Sequence, residues 1–148
     1  MKYPSAVSTT TTRPGIASQA WLLLFEFFKA QKPRFAELTE EFDLSGPQLH
    51  ALYLLGEPRS MGELAQRLVC DASNVTGLVD RLESRGLIER RPGPGDRRVR
   101  MLVLTPAGEE LRARALARFG EAPAGIAALT ADEQRTLRDL LRKALDAV

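Results

Sequence analysis

The run from Ser60 to Thr105, SMGELAQRLVCDASNVTGLVDRLESRGLIERRPGPGDRRVRMLVLT, constrains the fold more than any other part of the chain. Its hydrophobic period changes once, from that of helices to that of strands, and local signals mark each boundary. Ser60-Met61-Gly62-Glu63 is a capping box, in which a Ser side chain and a Glu three residues later satisfy each other's free amides. It opens a short helix with Leu64, Ala65 and Leu68 inward. Asp71-Ala72-Ser73-Asn74 caps a second helix, 72–85, which Gly86 ends. In it Val75, Leu78, Val79 and Leu82 fall at i, i+3, i+4 and i+7, the signature of one buried face. After Leu87 and Ile88, Pro92-Gly93-Pro94-Gly95 cannot be helix and must turn. The chain returns with Val99, Met101 and Val103 on one strand face and Arg98, Arg100 and Leu102 on the other. The prediction is a helix-turn-helix followed by a two-stranded wing over 87–104.

The outward face of the second helix suits a groove. At 100° per residue it carries Ser73, Gly77, Asp80 and Ser84, flanked by Asn74, Thr76 and Arg81. Plain surface helices favour Lys and Glu there, because these are better helix formers. Small polar residues weaken the helix, but they let a backbone come close to base edges and leave the positive helix end toward phosphate. Charge adds to this. From Arg81 to Arg100, seven arginines against Glu83, Glu89 and Asp96 give +4, which leaves −2 for the rest of a chain whose total is +2. Such a basic patch is what a phosphate-binding surface requires, although a solvated charged hairpin would carry the same arginines.

Around this unit the chain reads as helix. Residues 1–17, rich in Ser, Thr and Pro, read as a flexible arm. From there Trp21, Leu22, Leu24, Phe25 and Phe28 crowd one helix, and Phe35, Leu38 and Phe42 continue it past Pro33, which should kink or split it. A helix this apolar needs cover on more than one side, which suggests a subunit interface. Ser45-Gly46-Pro47-Gln48 is a further capping box, and its helix runs to Gly56, a natural C′ residue. Thr105-Pro106 and Thr130-Ala131-Asp132-Glu133 open two more helices, the last with a stripe of Leu137, Leu140, Leu141 and Leu145. The expected fold is mainly α, six helices, with a small β-hairpin wing.

The length of 148 residues fits a compact core plus an accessory helical part. No apolar run is long enough to span a membrane, and 2–17 has no apolar signal core, so a cytoplasmic location is expected. One Cys (Cys70) and one His (His50) exclude a Cys/His zinc site within one chain. No phosphate-binding Gly loop or activated nucleophile is present in the sequence, so neither a cofactor nor an enzyme is expected.

Three motifs then carry a resemblance. They are M-x-E-L-A-x-R-L at Met61 to Leu68, N-V-T-x-L-V-D-R-L-E-x-x-G-L-I at Asn74 to Ile88, and D-R-R-x-x-x-L-x-L-T-x-x-G at Asp96 to Gly108. Together they resemble the MarR family (multiple antibiotic resistance regulators) of winged-helix transcription factors. The resemblance implies a homodimer that binds a pseudo-palindromic operator in double-stranded DNA, usually as a repressor. Helical regions 18–44 and 106–148 would dimerise, and 45–105 would be the DNA-binding lobe. Position by position, Ala72, Ser73, Asn74, Thr76 and Gly77 would face bases or their phosphates in the major groove, and Arg81 would touch backbone. In the wing, Arg97, Arg98 and Arg100 supply charge. Arg98 matches the family's minor-groove finger, and Asp96 matches the residue that holds the wing. The family also implies a small anionic aromatic effector, for which Trp21, Phe28, Arg34, His50 and Tyr53 are candidate contacts, though Trp21 and Phe28 equally suit a core or dimer interface. Two alternatives remain: redox sensing through Cys70, whose neighbour Asp71 would raise rather than lower a thiol pKa, and a winged helix used for protein contacts.

Overall fold

A computed structural model describes residues 15–68, 72–95 and 98–148, without the side chains of residues 72 and 73. The expected arm up to residue 14, Cys70, Asp96, Arg97 and the side chains of Ala72 and Ser73 therefore lie outside the described residues. The chain forms two compact units, Met1–Pro33 and Arg34–Val148.

The first unit holds α1 (Ile16–Ala30), so the last two residues of the expected arm are already helical. No residue of α1 is buried, and Trp21, Leu23 and Phe28 are each more than 60% exposed. Pro33 splits the long apolar segment. The helix ends at Ala30, and α2 (Lys32–Glu41) takes Pro33 into its first turn, where the missing N–H costs nothing.

In the second unit follow α3 (Gly46–Leu54), β1 (Arg59–Ser60), α4 (Met61–Leu68), α5 (Ala72–Ser84), β2 (Ile88–Pro92), β3 (Arg100–Leu104), α6 (Pro106–Gly120), α7 (Ala124–Ala127) and α8 (Ala131–Leu145). The six expected helical segments are present; the division at Pro33 and the single turn α7 account for the rest.

The caps at Ser45, Ser60, Thr105 and Thr130 are formed as the sequence implies, while the expected cap of α5 at Asp71 lies outside the described residues. Ser45 N–H donates to Gln48 Oε1 at 2.8 Å while Ser45 Oγ accepts from Gln48 N–H. Glu63 Oε2 accepts from Ser60 N–H at 2.7 Å, and this bond holds the Glu63 carboxyl below its ordinary pKa. Thr130 and Glu133 repeat the arrangement at α8. At the end of α5, Gly86 adopts φ +68°. Leu87 N–H then reaches back to Leu82 C=O and Gly86 N–H to Glu83 C=O, a Schellman motif sealed by the buried Leu82 and Leu87. Gly56 differs from expectation. It is not left-handed; it lies against the Arg112 guanidinium, whose Cζ would be 2.7 Å from an added Cβ.

Among the described residues the sheet has three antiparallel strands in the order β1-β3-β2, one more than the expected hairpin. Arg59 pairs with Leu102 and Ser60 with Met101. A two-residue strand that doubles as the cap of α4 has no period to read. β3 is thus a central strand. Its buried face is the one that carries the arginines in sequence: Leu102 is fully buried, whereas Val99 is 42% exposed. Leu102 joins Leu52 of α3, Leu55 at its C-cap, Leu64 of α4, Val75, Val79 and Leu82 of α5, and Ile88 of β2 in one core. Burial of such side chains contributes roughly 1.5–3 kcal/mol each, so this core fixes α5 against the sheet.

Candidate nucleic-acid interface

The face of α5 opposite the core is open. Asn74, Thr76, Gly77, Arg81 and Ser84 are exposed or half-buried, while Val75 and Val79 beneath them are buried. Among the described residues a Cβ on Gly77 would meet nothing within 4 Å, so no described neighbour requires glycine there. A groove runs between this face and the start of α3, lined by Ser45, Pro47, Gln48, Asn74, Gly77 and Arg81. Two helix starts and an arginine therefore border one shallow concavity, an arrangement suited to a phosphate backbone.

The arginines of the basic run separate into two sets. Arg85 reaches to the corner between α2 and α3, where it donates to the carbonyls of Asp43 and Phe42. Arg90 donates to both Asp80 and Glu83 of α5. The hydrogen bond to Asp80, reinforced by the charge of Glu83, raises the Arg90 pKa above its ordinary value. Arg91 pairs with Glu89 on its own strand. By contrast Arg81 and Arg100 are exposed and make no ion pair among the described residues, and Arg98 is exposed in the turn that precedes β3. The positive charge facing outward is therefore narrower than the sequence count implies. A count of charges does not show the roles of Arg85 and Arg90.

The effector candidates divide between the two units. Trp21 and Phe28 are exposed on α1, in the first unit. In the second unit His50 and Tyr53 stack on the outer face of α3, ring centroids 6.4 Å apart. Arg34 Nη2 donates to the carbonyls of Arg118 at 2.9 Å and Phe119 at 3.2 Å, and also to Glu121. It caps the end of α6, where the helix dipole favours a cation; an effector contact by Arg34 would have to break these bonds.

Comparison with known proteins identifies the family. The MarR family model matches residues 44–99, from the start of α3 to the turn of the wing. The chain is 31% identical to the HTH-type transcriptional regulator YhbI of Bacillus subtilis, over 74% of this chain and 77% of that one. It is 28% identical to the HTH-type transcriptional repressor NicR of Pseudomonas putida, over 97% and 93%. The crystal structure of the reduced form of MarR from E. coli superposes with a TM-score of 0.73 at 26% identity, covering 91% of this chain and 99% of that one. A helix-turn-helix core, a wing on its C-terminal side and relatives spanning nearly the whole chain lead to one assignment: the protein belongs to the MarR family of winged helix-turn-helix transcriptional regulators.

Proposed function

We propose that the protein is a homodimeric, sequence-specific DNA-binding repressor, with α5 in the major groove and the wing of 87–104 in the adjacent minor groove. The observation that carries this reading is the outer face of α5. It is small, polar and open, and it holds a glycine that none of the described residues demands. Asn74, Thr76 and Gly77, with Ala72 and Ser73 before them, would face bases, and Arg81 the backbone. Arg98 would enter the minor groove, where a narrow A·T tract attracts a guanidinium; Arg97 and Arg100 would add charge and Asp96 would hold the wing. The winged lobe would be 45–105.

Dimerisation through 18–44 and 106–148 is supported by apolar surface left bare in one chain. No residue of α1 or α8 is buried, and Leu140 and Leu145 are 60% and 74% exposed. Helices of this kind are covered by a partner rather than by water. Repression is supported by the name of NicR. Release by a small aromatic anion would use the stacked His50 and Tyr53. Benzoate in a mobility-shift titration tests it, and a shift unaffected at millimolar benzoate would remove this element.

The test of the main reading is a mobility shift on the DNA upstream of the protein's own gene, across a salt series. Tight, sequence-selective binding that falls steeply with salt is expected, because displaced counterions supply most of the affinity. Arg98→Ala should weaken binding about tenfold or more and leave the dimer folded, since a good base or groove contact contributes ~1–3 kcal/mol. Unchanged affinity in that variant at moderate salt would remove Arg98 from the mechanism.

A further inference from the structure

We propose that Arg90 is a positioning residue: it sets the angle of the wing against the recognition helix by clamping Asp80 and Glu83, and it does not itself contact DNA. This rests on the DNA-binding reading above.

The register of the sheet places it. Arg90 pairs directly with Leu102, the fully buried residue of β3, and lies two residues from the buried Ile88. Directly paired residues share a face, and alternate residues of a strand share a face. Arg90 is therefore on the core side of the wing, the side that packs on α5, and its side chain is only 30% exposed. Glu89 and Arg91 project to the other side. Asp80 and Glu83 are one helical turn apart on α5 and so form a single edge. The guanidinium spans that edge, one nitrogen to each carboxylate, as its planar fork allows. Beneath it, the buried Val79 and Leu82 fix the backbone that carries the acids. Ile88 and Leu102 anchor the base of the wing in the core that α5 shares. Outward of Ile88 along β2, the clamp couples the two DNA-reading elements.

A single exposed ion pair contributes little, but two pairs on one rigid fork resist rotation of the hairpin. A phosphate-binding arginine would instead point away from two carboxylates.

The decisive variant is Asp80→Asn with Glu83→Gln. Simple electrostatics says that removing two negative charges beside a DNA surface strengthens binding. The clamp requires the opposite: affinity for the wild-type operator roughly three- to tenfold weaker, from the loss of two surface ion pairs. Arg90→Ala should weaken binding to a similar extent while the slope of log affinity against log salt stays unchanged, whereas a lost phosphate contact lowers it by about 0.9. Hydrogen exchange on the free protein gives a second reading. In both variants the amides of 88–104 should exchange faster while those of α8 stay as in the wild type, which also shows that the variants are folded. Affinity equal to or above wild type in the double variant, a lower salt slope in Arg90→Ala, or unchanged exchange in the wing would each overturn the clamp. Failure of the wild-type protein to select any DNA would overturn the DNA-binding reading instead, and wing exchange would then judge the clamp alone.

Discussion

Gly108→Ala is expected to destabilise the protein by about 3 kcal/mol, although helix propensity alone says that Ala in place of Gly gains up to ~1 kcal/mol. Gly108 is buried in the first turn of α6, where its N–H donates to the Thr105 side chain at 3.1 Å. That turn is pressed onto the end of α5 and the start of the wing. Thr105 N–H donates to Leu87 C=O at 3.1 Å, and Thr105 Oγ1 donates to Gly86 C=O at 2.6 Å. A Cβ on Gly108 would overlap the Leu87 carbonyl oxygen outright and lie 2.9 Å from its carbon. The atoms it meets are backbone, held by those same hydrogen bonds and by the buried Leu87 side chain, so they cannot swing aside. Relief requires α6 to lift from the sheet, which breaks its cap. Thermal unfolding should show a fall in midpoint of roughly 6–12 °C for a chain of this size. A midpoint equal to or above wild type would mean that α6 and Leu87 do not approach as described.

The second large effect is expected at another helical glycine, with the opposite sign for stability. Gly77→Ala places a methyl in open space in the interior of α5, so the helix should gain about 0.8–1 kcal/mol and the midpoint should rise by a few degrees. DNA binding should nevertheless weaken about tenfold or more, because under the proposed function a Cβ at the centre of this face would hold the backbone off the base edges and disturb contacts of ~1–3 kcal/mol each. Unfolding and binding measured on the same sample separate the two effects. A variant that is more stable and binds as tightly as wild type would show that the face of α5 does not approach its target closely. The contrast between the two glycines follows from what stands opposite each Cα: solvent at Gly77 and a fixed carbonyl at Gly108.

These positions also mark what a sequence can reveal. The buried stripe Val75-Val79-Leu82 is legible because a 3.6-residue period is a property of the chain itself. The capping boxes at Ser45, Ser60 and Thr130 are legible for the same reason, since both partners lie within four residues. Gly56 departs from its rule: a glycine after a helix favours a left-handed turn, but here a distant arginine, Arg112, occupies the space. β1 leaves no pattern because it has two residues. The inward face of β3 is ambiguous in sequence, since apolar residues occur on both faces and only pairing with β1 and β2 makes Leu102 central. Among the site residues, the open face of α5 is legible from composition. The engagement of Arg34 with α6, of Arg85 with the corner at Asp43, and of Arg90 with α5 is not, because a charge count carries no information about partners far along the chain. Arg90 does leave one trace: a cation two residues after Ile88 shares the core side of its strand, and Asp80 and Glu83 stand one turn apart on the preceding helix.

The measurement that tests the central claim most directly is selection of bound DNA from a random pool by the full-length protein. The account predicts an enriched pseudo-palindrome whose half-site centres lie about one helical turn, roughly 10 bp, apart, with A·T-rich steps where the wings of the two subunits would sit. Recovery of no enriched motif, or of a single asymmetric site bound by one chain, would contradict it.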